Sequence, residues 1–288
     1  MITAQQSFDR LGPAVPQSPV VVSVPHAGRA YSPALLAAVR LPLSALLVLE
    51  DRYVDAVAKA ARRGETALVQ RVPRAWIDLN RAEYERDPKL DDGADPRAQP
   101  GASAKLRGGL GLVPRRVAQG GDIWRKRLAA ADVDVRIEQA YRPYHAELAR
   151  ALAAARARFG VAILLDVHSM PPLRLAGEAT GEAAGIVLGD RFGQSAADRF
   201  VARLQAEMDG CGVPHMLNTP YAGGHILERH AAPARGIHAI QIEFDRRLYL
   251  DAVLRVPGAG LRPTARLLRC MIDALVDEAL GTTQLAAE

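Results

Sequence analysis

The chain has 288 residues, 49% hydrophobic and 24% charged, with two cysteines and 37 basic against 32 acidic residues. That apolar content excludes a disordered chain, and two cysteines exclude a disulfide-stapled secreted module. The net charge of +5 is spread among interleaved Asp and Glu and forms no aromatic-studded basic stripe, so a small anion is a better partner for it than nucleic acid.

The longest uncharged apolar stretch of the first third, residues 41–49, is roughly half of the ~20 residues needed to cross a bilayer, so no membrane span is expected. Residues 1–10 are polar and of mixed charge, without the basic start or apolar core of a secretory signal. The expected location is the cytoplasm, with Cys211 and Cys270 reduced. No fixed-period repeat or Gly/Ser linker divides the sequence, so a single domain over 1–288 is expected.

Taken in chain order, short β-branched runs predict strands at 20–24, 67–72, 161–167, 185–188, 214–217 and 237–244. Amphipathic patterns predict helices at 51–63, 133–159, 195–208 and 263–280, with a kink or break at Pro143. Strands alternating with helices predict an α/β fold, a three-layer sandwich around a mixed, mostly parallel sheet. Residues 82–121 are rich in Pro, Gly and charge and read as a loop insertion outside the core, of the kind that serves as a lid or binding element.

The chemistry-bearing residues collect where strands end. The first run leads into Pro25-His26-Ala27-Gly28, and the run from 161 leads into Asp166-Val167-His168-Ser169. Carboxyl ends of strands in an open α/β sheet border the ligand crevice, and two imidazoles with one carboxylate are a familiar catalytic Zn²⁺ set. The carboxylate comes from Glu50-Asp51 at the head of the first helical segment, where Asp51 also suits an N-cap and Glu50 is the other candidate. Asp166 shares a strand face with His168 and suits a carboxylate that orients it from behind. Asn80-Arg81 closes an alternating run and has the donors of an anion grip, the alternative being a surface salt bridge. Glu243 ends an apolar strand, where burying a carboxylate is costly unless it is paired or used; a general base is the use. Tyr221, Gly223 and Gly224 make a close-approach loop running into His225, and His225-Ile226-Leu227-Glu228 matches a short His-x-x-Glu pattern, followed by Arg229-His230. Tyr141 to His145 reads as packing and capping. No nucleophile elbow surrounds Ser169, and no nucleotide-binding glycine motif occurs.

In order, Pro25-His26-Ala27-Gly28, the Asp51 helix start, Ile77-Asp78-Leu79-Asn80-Arg81, Pro143-Tyr144-His145, Asp166-Val167-His168-Ser169, Gly223-Gly224-His225-Ile226 with Arg229-His230, and Gln241-Ile242-Glu243 with Tyr249 resemble the N-formylglutamate amidohydrolase family over roughly residues 20–255. The resemblance implies a phosphorylase/hydrolase-like, zinc-carboxypeptidase-like α/β fold. It also implies removal of the formyl group from N-formylglutamate, as in histidine breakdown. By position it implies Zn²⁺ or another divalent transition metal held by His26, Asp51 and His168, with Glu243 as base. Asn80, Arg81 and Arg229, with Tyr221, Gly223, Gly224 and His225, would then hold a small anionic N-acyl amino acid, and Asp166 would stand behind His168. Two departures from the family pattern, the Leu227-Glu228 pair ahead of Arg229 and the charge of 82–121, fall where substrate is recognised. Two rival readings are a metallo-amidase or carboxypeptidase acting on another N-acyl amino acid or peptide, and a non-catalytic relative that binds an anion through Arg81.

Overall fold

The computed structural model describes residues 7–95, 97, 103–117, 121–173 and 184–285. A seven-stranded sheet runs in the order β1-β3-β2-β6-β9-β7-β8. Its strands are β1 (Phe8–Leu11), β2 (Val20–Val24), β3 (Thr66–Gln70), β6 (Ala162–Met170), β7 (Ile186–Gly189), β8 (His215–Leu217) and β9 (Ile237–Asp245), while β4 (Arg116–Val117) and β5 (Gly121–Asp122) form a separate ribbon. β6 pairs parallel with β2 and β9, β7 pairs parallel with β8, and β7 runs antiparallel to β9, so the sheet is mixed and mostly parallel as expected.

The chain divides into two compact units, one of residues 10–24, 52–68 and 148–288 and the other of residues 1–9, 25–51 and 69–147. The first holds β2, β6, β7, β8 and β9. All nine residues of β6 are buried, which is why its first half, Ala162 to Leu165, is a continuous apolar run rather than an alternating one. Helix α3 (Val54–Ala61) packs on β2 and β6, and α9 (Leu261–Leu285) packs on α3, on β2 and on α7 (Asp198–Gly210). The short α8 (His225–His230) lies against β6 and β9.

The second unit carries α1 (Pro33–Ala38), α2 (Leu43–Leu46), α4 (Ala104–Arg107) and α5 (Ala130–Arg136). Ser32 caps α1, its hydroxyl accepting from the Leu35 amide at 3.1 Å, and Pro33 opens the helix where its missing N–H costs nothing. The irregularity expected at Pro143 falls just before it. Residues Ile137–Tyr141 form a π-turn between α5 and α6 (Arg142–Phe159), a wider turn that accommodates the missing amide and the ring of Pro143. The 82–121 stretch is not all outside the core, because Leu90, Leu106, Leu112 and Val113 are buried. Residues 96, 98–102 and 118–120 of that stretch lie outside the described ones. None of the described helices is long and apolar enough to cross a membrane.

His238 on β9 ties the sheet to α7. The Ala197 amide donates to its Nδ1 at 3.2 Å and the Phe200 ring lies 4.7 Å away, so the ring is held neutral. Burial, and then the Arg199 charge, push its pKa down to about 4 from 6.5. Because the folded value is the lower one, the unfolded chain takes the proton first as pH falls. Stability is therefore drained between pH 6.5 and about 4, and His238→Gln flattens that part of the profile. Urea midpoints of the two proteins, compared at neutral pH and at the acid end of that window, check this.

Candidate active site

In the second unit a cluster of polar side chains surrounds His26. Gly28 lets the Pro25-His26 turn lie against the 71–72 backbone, since a Cβ at 28 would fall 1.9 Å from the Val72 carbonyl oxygen. His26 Nε2 is hydrogen-bonded to Asp78 Oδ1 at 2.7 Å, and its Nδ1 lies 3.6 Å from Asp51 Oδ2. The Asp51 amide donates to the His26 carbonyl at 3.0 Å, which ties the two residues together through the backbone as well. The N-cap position of α3, which Asp51 suits on sequence, is occupied by Tyr53, in the left-handed region and without a side-chain cap bond. Glu50 accepts the Tyr31 hydroxyl at 2.6 Å.

Asp78 is fully buried, and burial alone would raise its pKa. The charges of Arg74, His26 and Arg81 and the hydrogen bond from His26 outweigh it and hold the carboxyl well below the usual carboxylate range. Arg74 Nε donates to Asp78 Oδ2 at 2.8 Å, and the Asn80 amide to Oδ1 at 2.8 Å. From sequence alone Asp78 has no assigned task; the signal that points to it is its likeness to Asp166, a carboxylate inside an apolar run that ends in a polar motif. Arg81 is buried, its Nε and Nη1 donating to the carbonyls of Leu110 and Asn80. Its own carbonyl accepts the Tyr141 hydroxyl at 2.8 Å. His145 Nε2 lies 3.0 Å from the Leu79 carbonyl, so the Tyr141 to His145 segment props up the 79–81 backbone, in keeping with a packing role.

In the first unit the site is built on three adjacent strands. Ser23 of β2 is level with Asp166 of β6, Asp166 with Gln241 of β9, and His168 with Glu243, so these side chains occupy one face near the carboxyl ends of parallel strands. The Ser23 hydroxyl donates to Asp166 Oδ1 at 2.7 Å, and His168 Nε2 is bonded to Asp166 Oδ2 at 2.9 Å. Gln241 Nε2 donates to Glu243 Oε1 at 2.9 Å. Ser23 and Gln241 were not assigned roles from sequence, because neither type signals chemistry without knowledge of the strand register. All five side chains are buried, and buried polar groups persist only when paired in this way.

Gly189 of β7 lies opposite Gln241, and a Cβ there would sit 2.6 Å from the Ala222 carbonyl carbon, so the loop through Tyr221 and Gly223 rests directly on that strand. Gly223 has φ +106, and Gly224 precedes α8. His225 Nδ1 lies 3.5 Å from Glu228 Oε2, one helical turn away, but exposed Glu228 also pairs with Arg191 at 3.2 Å. The His-x-x-Glu match is thus a helix-surface pair. Arg229 is exposed on the same helix, while His230 is buried and its pKa is lowered to about 4 by burial and by the nearby charges of Arg229 and His225.

Both site histidines have the same construction, with Nε2 held by a fully buried aspartate. That bond fixes the tautomer and leaves Nδ1 as the nitrogen for a metal. Two imidazoles and a carboxylate suit Zn²⁺ and other first-row divalent ions, so the donor chemistry fits a metal.

A mixed, mostly parallel sheet covered by helices, with buried titratable groups near its strand ends, defines the class as an α/β protein. Comparison with known proteins narrows this class. The sequence profile of N-formylglutamate amidohydrolase matches residues 18–250. The chain is 28% identical to N-formylglutamate deformylase of Pseudomonas aeruginosa, covering 91% of this chain and 93% of that one. It is 30% identical to the protein of the same description from Pseudomonas putida, covering 90% and 92%. The crystal structure of N-formylglutamate amidohydrolase from Ralstonia eutropha JMP134 superposes with a TM-score of 0.84 at 31% identity, covering 96% of this chain and 99% of that one. The chain belongs to the N-formylglutamate amidohydrolase family.

Proposed function

We propose that the protein hydrolyses the formyl amide of N-formylglutamate to formate and glutamate, using a divalent metal ion, Zn²⁺ by donor type, held by His26, Asp51 and His168. The observation that carries the reading is the pair of imidazoles whose Nε2 atoms are held by buried aspartates. A bound divalent ion supplies a Lewis acid that polarises the formyl oxygen and acidifies a water toward a pKa of about 7. Asp78 and Asp166 keep both rings in one tautomer and one orientation. Glu243, level with His168 on the neighbouring strand, takes a proton from the attacking water and returns it to the departing amine nitrogen. Gln241 holds one Glu243 oxygen, so the carboxylate is aimed before substrate arrives. Asn80, Arg81, Arg229 and His225, with the Tyr221 to Gly224 loop, receive the carboxylates of the substrate. Arg81 does so with Nη2, since its other two nitrogens already hold backbone carbonyls. The exposed free thiols of Cys211 and Cys270 suit the cytoplasm, where histidine breakdown would deliver this substrate.

The test is hydrolysis of a panel of N-formyl and N-acyl amino acids, acidic and neutral, by protein of measured metal content before and after chelation. Chelator-sensitive release of formate with preference for N-formylglutamate supports the reading; hydrolysis that survives metal removal defeats it. Asp78→Asn keeps the shape and removes the charge behind His26, and it lowers kcat/KM or metal affinity by about 10–100-fold. Metal titration alongside steady-state kinetics checks this.

A further inference from the structure

Arg136 ends α5 deep in the second unit, only 3% exposed, and its guanidinium lies between two indole faces, 4.0 Å from the Trp76 ring and 4.7 Å from the Trp124 ring. Among the described residues it has no ion-pair partner. Its one hydrogen bond runs from Nη1 to the Trp76 carbonyl at 3.1 Å, and its buried Nε has no partner. Burial pushes its pKa down to about 10, the nearest acids being Asp132 and Asp91, and Asp91 is already engaged by Arg86. A guanidinium carries five donors, and burying a cation without an anion is costly.

Arg136 lines a cavity of about 490 Å³. Ala34 and Ala38 of α1, with Leu128 and Val135, supply apolar wall, and Arg125, Lys126 and Arg127 line the same cavity against a single acid, Asp132. Arg127 is paired with Asp92 at 2.6 Å, which leaves the exposed Arg125 and Lys126 to set the local field. None of His26, Asp51, Asp78, Asn80 or Arg81 lines this cavity. An apolar chamber with a desolvated cation at its wall and further cations around it fits an amphiphilic anion, the carboxylate meeting Arg136 and the flat or aliphatic body meeting Trp76, Ala34 and Leu128.

We propose that this cavity is a second binding site, separate from the candidate active site, for a small organic carboxylate with an aromatic or aliphatic body, with Arg136 as its anion anchor. The chain has two tryptophans, Trp76 and Trp124, and both flank Arg136, so intrinsic tryptophan fluorescence reports directly on the cavity.

The full-length protein is titrated with benzoate at constant ionic strength, with benzamide as the neutral isostere. The expected result is a saturable fluorescence change with a dissociation constant of about 1 mM or below for benzoate, and at least about tenfold weaker binding of benzamide. Arg136→Met is expected to weaken benzoate by about tenfold or more. Should that variant fail to fold, Arg125→Gln/Lys126→Gln, which changes exposed side chains only, still weakens benzoate by about two- to fivefold. Absence of saturation by about 50 mM, equal binding of benzamide, or benzoate binding unchanged in whichever variant folds overturns the proposal.

Discussion

Asp51→Asn is expected to yield a folded protein that no longer retains divalent metal through dialysis and whose kcat/KM falls by about three orders of magnitude, while Glu50→Gln is expected to keep both. The two acids are adjacent and both buried, and the structure gives them different surroundings. Asp51 Oδ2 lies 3.6 Å from His26 Nδ1, whereas Glu50 is bonded to the Tyr31 hydroxyl. The size of the loss follows from what a Lewis acid contributes, several kcal/mol of transition-state stabilisation at about 1.36 kcal/mol per tenfold in rate. Asparagine has the same shape and no charge, and the N-cap residue of α3 is Tyr53 rather than Asp51, so the unfolding midpoint should move little. Metal content after dialysis, the urea midpoint and kcat/KM together separate loss of a ligand from loss of fold. Full metal retention by Asp51→Asn would remove Asp51 from the proposed set.

How much of this was legible in sequence depended on whether the signal was local. The buried strands were, because β2, β6 and β9 are covered on both faces and are dominated by apolar, β-branched residues rather than by strict alternation. The expected end of β6 at residue 167 stopped short of Met170, since Asp166 and His168 break the apolar pattern while the backbone pairing continues. β1 was missed for the opposite reason. It is a half-buried edge strand whose Phe8-Asp9-Arg10-Leu11 carries two charges, as edge strands often do. Leu90, Leu106, Leu112 and Val113 were invisible as core because they are scattered among Gly, Pro and charge, with no period to reveal them. In the site, His26, His168 and Glu243 could be singled out as costly groups at strand ends. Asp51 was preferred to Glu50 only through the family resemblance, and finding Asp78 behind His26 across 52 residues required the folded backbone.

Glu243→Gln cuts kcat by about 10²–10⁴-fold with metal content unchanged, the range in which a positioned proton-transfer group contributes. The argument rests on register. His168 and Glu243 are directly level on paired parallel strands, and Gln241, two residues earlier on the same face, donates to Glu243. A carboxylate kept 8% exposed on a buried strand loses solvation, a penalty that hydrolytic chemistry explains and packing does not. Glutamine preserves length and hydrogen-bonding capacity but cannot accept the water's proton. Glu243→Asp keeps the charge and withdraws it by one methylene, about 1 Å of misplacement, which costs on the order of 10²-fold. A purely structural Glu243 predicts the reverse order of damage: aspartate, which leaves a shorter buried charge beside Gln241, would destabilise more than neutral glutamine, and both would act through stability. Measuring kcat, metal content and unfolding midpoint for the two variants decides between them, and near-normal turnover by folded, metal-loaded Glu243→Gln would end the assignment of Glu243 as the base.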